Sequence, residues 1–290
     1  LSEVADSPNY LRAKIPRVAI NQKSVENGAA IITSSKNPVI WAGGGVHLSE
    51  ASNELLALAE YLQIPILTTP EGKGSISDQH YLSIGTPQSR STGNSKDSLL
   101  DFFYTRDVIL AVGTRFAYAN PKPYQQVVQI DVDPKEIGRN HKKTFGILGD
   151  ARQVLSQLLE VIKIKTKPKQ NQKIVFDKMR SNRYENPANQ VEPLASYVKA
   201  LRQGMPDDAI LVTDMTTIAY YARTHYQTYN PRSYFTTSYS GNLGSAFPTS
   251  LGIKVARPNQ AVISISGDGG FLFNSQELAT AIQFGINVVA

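Results

Sequence analysis

The sequence predicts an α/β protein of two doubly wound parallel-sheet domains, the second incomplete. Three observations lead there. Short apolar runs rich in Val and Ile alternate with longer stretches of helical period, the joints between them are brief, and the strand ends carry glycines, hydroxyls or carboxylates. At 290 residues the chain is long for one domain. Residues 1–21 read as a linker from something upstream, 22–163 as a central Rossmann-like domain, 164–189 as a second linker, and 190–290 as the first part of a further domain.

In chain order, the first segment has Pro8 and Pro16 and no sustained period. Residues 24–34 place Val25, Ala29 and Ile32 on helical spacing. A strand over 38–42 then ends on Gly43-Gly44-Gly45, and 49–62 puts Ala51, Leu55, Leu58, Ala59 and Leu62 on one helical face. A strand over 64–67 follows, and 71–94 reads as a long loop. A helix over 99–104 leads to buried strands at 108–112 and 127–131, a short strand at 145–148, and a helix from 151 to about 162. Lys163, Lys165, Lys167, Lys169 and Lys173 then mark a solvated connector. The second unit opens with a helix at 192–201, a strand at 209–213 ending at Asp214, a helix at 216–226 and a strand at 233–236. A Gly turn, a helix-like segment and a strand over 261–266 lead into its last glycines, and 286–290 reads as a strand cut short.

Composition excludes several classes. Apolar residues are 41% and charged residues 19%, so neither disorder nor a fibre is expected. The net charge of +6 is spread along the chain with no basic stripe or reading element, so no nucleic-acid role follows. With no Cys there are no disulfides or thiolate metal sites, and a cytoplasmic location is expected. No apolar segment reaches membrane-spanning length, so no membrane partner is expected. His47, His80, His141 and His225 lack metal-ligand spacing, and neither a nucleophile elbow nor a Walker loop is present. Gly43-Gly44-Gly45 misses the dinucleotide fingerprint because Leu48 stands where its last glycine belongs.

Open α/β sheets bind ligands beyond the carboxyl ends of their strands. In the second unit those ends carry Asp214-Met215-Thr216-Thr217, Gly241-Asn242-Leu243-Gly244 and Gly267-Asp268-Gly269-Gly270-Phe271. Glycines let the backbone approach a phosphate, a helix N-terminus offers N–H donors, and Asp268 supplies a hard oxygen for Mg²⁺ or Ca²⁺. Asn274 with Glu277 has the form of a capping box, which predicts a helix over 275–284.

With Asn274-Ser275-Gln276-Glu277-Leu278-Ala279-Thr280-Ala281, the Gly267 stretch resembles the thiamine-diphosphate motif of the acetolactate synthase and benzoylformate decarboxylase superfamily. Residues 241–248 resemble the turn beneath the cofactor's thiazolium ring, in the shorter benzoylformate-decarboxylase-like spacing. Residues 38–46, 108–116 and 130–138, with Gly149-Asp150-Ala151, resemble the superfamily's central domain. The resemblance implies that Asp268 ligates Mg²⁺ and that Gly267, Gly269 and Gly270 belong to the diphosphate turn, the last two holding the diphosphate by backbone. It further implies diphosphate contacts from Thr216 and Thr217, and an apolar wedge at Leu243 that keeps the cofactor bent.

The same resemblance implies that the catalytic Glu lies in a domain upstream, and that a pair of Asn completing the metal motif lies beyond Ala290, so no catalytic residue is assigned here. Residues 190–290 then correspond to the N-terminal part of the thiamine-diphosphate-binding domain. The expected activity of the intact protein is decarboxylation of a small 2-oxo acid, with ligation of the product to a second carbonyl, and this chain alone is expected to be inactive. A benzoylformate- or oxalyl-type decarboxylase is the alternative, and a non-catalytic nucleotide-binding or interaction module is the alternative of another class. In relatives the central domain sometimes holds FAD or an ADP group and sometimes neither; Arg90, Arg115, Asp131 and Asp133 stand where one would lie, and no FAD assignment is made. The parent is expected to be a homodimer or homotetramer, with Tyr220, Tyr221, Tyr226, Tyr229, Tyr234 and Tyr239 at an interface.

Overall fold

The computed structural model describes residues 19–87, 98–117, 119–186, 190–237 and 240–290. Arg90 and Tyr239, and all but the last three residues of the expected N-terminal linker, lie outside them. The first unit contains α1 (Gln22–Ser34), β1 (Val39–Ala42), α2 (Gly45–Leu48), α3 (Ser52–Leu62), β2 (Ile66–Thr68), β3 (Ser83–Gly85), α4 (Ser98–Tyr104), β4 (Val108–Val112), β5 (Gln126–Asp131), β6 (Thr144–Leu148) and α5 (Ala151–Lys165). Among the described residues its six strands are all parallel, in the order β3-β2-β1-β4-β5-β6. β1 and β4 are buried along their whole length, which is why they read as unbroken apolar runs rather than alternating ones. Asn21 and Asp150 cap α1 and α5, each through a side chain that accepts from a backbone N–H.

The second unit contains α7 (Leu194–Gly204), β7 (Ile210–Thr213), α8 (Thr217–His225), β8 (Tyr234–Thr236), α9 (Ala246–Ala256), β9 (Val262–Ile265), α10 (Asp268–Phe273) and α11 (Glu277–Gln283). Its parallel sheet runs β8-β7-β9. The strand expected at 286–290 reaches β9 through one parallel bridge, Ile263 to Val289.

Four expectations need correction. Residues 164–189 are more than a connector, because Lys173–Tyr184 forms a helix, α6. Its apolar inward positions are Phe176 and Met179, and the others turned inward are Arg180, Arg183 and Tyr184 with its buried hydroxyl, so the segment reads as polar linker; the lysines are indeed exposed. The loop at 71–94 contains β3, a three-residue strand too short to show a period. Tyr221, Tyr226 and Tyr234 are buried in the core of the second unit rather than offered to an interface. Finally, no helix starts at Ser275. Gly267 is extended, the Phe271 N–H donates to the Gly267 carbonyl at 2.8 Å, and α10 begins directly after the strand at Asp268; α11 starts only at Glu277.

The two units meet in a buried ionic joint. Lys73 and Asp78, on the first unit, are both buried, with Nζ 3.5 Å from Oδ2. Asp78 also reaches the second unit: its Oδ2 accepts from the Thr228 N–H at 2.9 Å and from the Thr228 hydroxyl at 3.0 Å. Arg183 of α6 donates from Nη2 to the Thr86 carbonyl at 2.7 Å and to the Thr224 carbonyl at 3.0 Å, tying α6 to both units. Against this joint His225 stacks on Tyr221, with ring centroids 4.0 Å apart.

Burial, and then the positive charge of Arg183 and Lys73, push His225 down to about 3. Its folded pKa lies below its unfolded value near 6.5, so between those values the unfolded chain binds more protons. Stability is therefore lost as pH falls from about 6.5 toward 3, by roughly 1.4 kcal/mol per pH unit for one such group. His225→Phe should keep the stacking and flatten part of this slope in denaturation midpoints measured between pH 7.5 and 5. His47, also lowered by burial, keeps some slope in place; identical slopes in both proteins would refute the assignment.

Candidate cofactor site

In the second sheet the chain runs from β7 through α8 to β8 at one edge, then returns through α9 to place β9 on the other side of β7. The connections thus leave β7 and β9 in opposite directions, which opens a crevice beyond their carboxyl ends. The strand ends that sequence reasoning singles out meet at this crevice.

Thr216 caps α8 in extended conformation without a side-chain cap bond, so its hydroxyl is not spent on the helix. A Cβ built on Gly267 would lie 3.6 Å from that hydroxyl, so the ends of β7 and β9 are adjacent. Thr217, the first residue of α8, is exposed, and the first-turn N–H groups of α8 have no partner within the helix. Asp268 is exposed at the first position of α10. Around Gly269 a Cβ would meet nothing within 4 Å, which leaves its backbone open to a ligand. Gly270 is buried, and a Cβ there would approach Asp214 Oδ2 to 3.1 Å. Leu243 is 50% exposed, which leaves its side chain open to contact by a ligand.

Four residues that sequence reasoning gave no site task complete the picture. Asp214 is fully buried; its Oδ2 accepts from the Gly244 N–H at 2.6 Å and its Oδ1 from the Met215 N–H at 2.9 Å. The Asn274 amide donates to the Gly244 carbonyl at 2.6 Å instead of capping a helix. The hydroxyls of Ser245 and Ser266, beside Gly244 and Gly267 in the chain, are buried without a hydrogen-bond partner. A buried polar atom in that state favours a polar ligand nearby. The only sequence signal for Asp214 is a carboxylate directly after an apolar strand.

The crevice fits a phosphate-bearing group better than a self-sufficient metal centre. Two helix N-termini face it, and anions are stabilised there by N–H donors and the helix dipole. Among the described residues no three His, Cys, Asp or Glu side chains group to hold a metal, so Asp268 is a single carboxylate donor. Mg²⁺ commonly takes one or two carboxylates and completes its shell with phosphate oxygens and water, so this donor set suits a metal that arrives with a diphosphate.

The description "Thiamine pyrophosphate enzyme, central domain" matches residues 25–158, and "Thiamine pyrophosphate enzyme, C-terminal TPP binding domain" matches residues 214–290, which include the whole crevice. The chain belongs to the thiamine pyrophosphate enzymes. It is similar to a probable acetolactate synthase large subunit of Methanocaldococcus jannaschii, 34% identical over 98% of this chain and 49% of the relative. It is also similar to acetolactate synthase large subunits of Lactococcus lactis, at 31% over 89% of this chain and 45% of the relative, and of Corynebacterium glutamicum, at 29% over 98% and 46%. The chain spans about half the length of the curated relatives it matches.

In this thiamine pyrophosphate enzyme a second opening lies at the β1/β4 switch point of the first sheet. It is a cavity of about 1330 Å³ whose lining includes Gly44, Gly45, His47, Gly113, Arg115 and Tyr234. The glycines serve chain packing first: a Cβ on Gly45 would lie 2.5 Å from the Gly113 Cα. Of the candidates for a nucleotide here, Arg115 reaches the cavity wall. Asp131 and Asp133 do not; they accept from the N–H groups of Asp133 and Lys135 and cap the turn after β5. The four histidines have protein partners: His47 with the Lys73 carbonyl, His80 with Glu60, His141 with the Gln125 carbonyl, and His225 with Thr224. No helix among the described residues is long and apolar enough to cross a membrane.

Proposed function

We propose that the full protein is a thiamine-diphosphate- and Mg²⁺-dependent enzyme that decarboxylates a 2-oxo acid and joins the product to a second carbonyl, a reaction of the acetolactate synthase type. The observation that carries this reading is the β7/β9 crevice, where the open backbone at Gly269, the uncommitted Thr216 hydroxyl, the exposed Asp268 and the half-exposed Leu243 belong to converging strand ends. Similarity to acetolactate synthase large subunits supports it.

In this reading the backbone of Gly267, Gly269 and Gly270 and the hydroxyls of Thr216 and Thr217 bind the diphosphate. Asp268 ligates Mg²⁺, and Leu243 supports the bent cofactor. Bound there, thiamine diphosphate supplies a nucleophilic carbon and an electron sink for the carbon that loses CO₂. This chain's residues bind, orient and exclude water; no proton transfer is assigned to any of them, because the activating Glu belongs to a domain upstream. Residues 22–163 form the central domain and 190–290 the first part of the cofactor domain. The chain alone lacks turnover, and the full protein works in the cytoplasm as a homodimer or homotetramer.

The short turn at Leu243, within residues 241–248, favours a second reading, a benzoylformate- or oxalyl-type decarboxylase. Product analysis separates the two: a chain-lengthened hydroxy-oxo acid for the first, an aldehyde or its acyl equivalent for the second. Calorimetric titration tests the class. Thiamine diphosphate with Mg²⁺ should bind the full-length protein tightly, and this chain weakly or not at all. If the full-length protein ignores the cofactor while ADP or FAD binds this chain, a nucleotide-binding module at the Arg115 cavity replaces the enzyme reading.

A further inference from the structure

The turn that carries Leu243 is held by side chains from two other elements. Gly244 sits at φ +82°, a left-handed conformation that favours glycine, and its peptide groups are gripped on both sides. The Gly244 N–H donates to Asp214, at the end of β7, and the Gly244 carbonyl accepts from Asn274, just after α10; both bonds are 2.6 Å. Space confirms the closeness, since a Cβ on Gly244 would lie 2.7 Å from the Phe273 Cβ and 3.1 Å from the Gly270 carbonyl oxygen. One glycine therefore pins together the ends of β7, the turn and α10.

We propose that Asp214 and Asn274 are positioning residues that lock Gly244 and so fix Leu243 as a rigid support for the cofactor's bent conformation. This rests on the thiamine-diphosphate reading above. A wedge acts only if it does not yield, and misplacement by about 1 Å costs a site much of its function. The chemistry at each position is specific. Asp214 meets two N–H donors with two oxygens, whereas Asn would turn an NH₂ group toward one of them. Asn274 must present a donor to a carbonyl, whereas Asp of the same shape would present an acceptor.

The test uses the full-length protein with thiamine diphosphate and Mg²⁺, reading affinity by calorimetry and amide exchange over residues 241–245 without cofactor. Asn274 is partly exposed, so its variants should fold even if Asp214→Asn does not. Asn274→Ala should weaken cofactor binding several-fold, and Asn274→Asp about tenfold or more, with faster exchange in the turn. Leu243→Ala should weaken binding to a similar degree, and Asn274→Asp added to it should cost little more, because both act through the same wedge. Wild-type affinity and exchange in Asn274→Asp, or fully multiplicative effects in the double variant, would overturn the lock. A wild-type protein that binds no cofactor overturns the functional reading instead, and the exchange measurement then still reports whether the grip on Gly244 exists.

Discussion

Asp78→Ala is expected to lower the stability of the protein by about 3–5 kcal/mol, the usual result of stripping a buried charge of its partner. Lys73 is 1% exposed, its Nζ has no hydrogen bond, and Asp78 is its ion-pair partner at 3.5 Å. Burial already drives the Lys73 ammonium toward its neutral form, with Asp78 opposing that shift and the nearby Arg183 adding to it. Removing the carboxylate also leaves the Ser83 hydroxyl and the Thr228 N–H and hydroxyl without their acceptor, and removes two of the hydrogen bonds that join the two units. The reverse substitution should be milder. Lys73→Met removes the charge that needs a partner and leaves Asp78 with its three hydrogen-bond donors, so a loss of about 1–2 kcal/mol is expected. Urea denaturation of both variants decides the matter; a loss below about 1 kcal/mol for Asp78→Ala would mean that the joint is hydrated or relaxed and the pair carries little.

Asp268→Asn in the full-length protein should weaken Mg²⁺-dependent cofactor binding by at least about 100-fold, the upper end of what loss of a mere outer-shell partner costs a metal site. The substitution keeps size and an acceptor oxygen but removes the charge. Asp268 is exposed at the start of α10, and no group of three metal-ligating side chains exists among the described residues to take over. The neighbouring helix N-termini favour anions, so without the carboxylate they favour the diphosphate while repelling the cation. Titration at rising Mg²⁺ should show a raised Mg²⁺ requirement with normal folding by circular dichroism. Thr217→Val, which removes the hydroxyl proposed to contact the diphosphate, should cost about tenfold or less. An unchanged Mg²⁺ requirement in Asp268→Asn would remove Asp268 from the metal site.

Legibility followed physical range. The strands Val39–Ala42, Val108–Val112 and Gln126–Asp131 could be read within a residue or two, because a strand buried on both faces writes its environment as a continuous apolar run. α5 was equally plain, because Val154, Leu155, Leu158 and Ile162 recur at helical spacing and all four are buried; its cap at Asp150 came from the structure. α6 was not, since Phe176 and Met179 are joined on its inward face by arginines and a tyrosine, and arginine carries no apolar signal. The site divided in the same way. Gly267 to Gly270 stood out because a strand, a carboxylate and a helix start lie within a few residues of one another. Asn274 misled because a capping box is a local pattern, while its actual partner, Gly244, is thirty residues away.

The amino-acid order thus sufficed for what local periodicity and short motifs encode: two α/β units of parallel strands, the glycine- and hydroxyl-rich strand ends that meet at one crevice, and the family to which the glycine motifs point. It could not say which strand lies beside which, because pairing is set by long-range packing that leaves no mark on neighbouring residues. Only the folded chain brought β9 beside β7, set Gly244 between Asp214 and Asn274, and buried Lys73 against Asp78 at the joint between the units. Each of those arrangements depends on hydrogen bonds or charge pairs between residues far apart in sequence, whose partners exist only once the tertiary structure has closed.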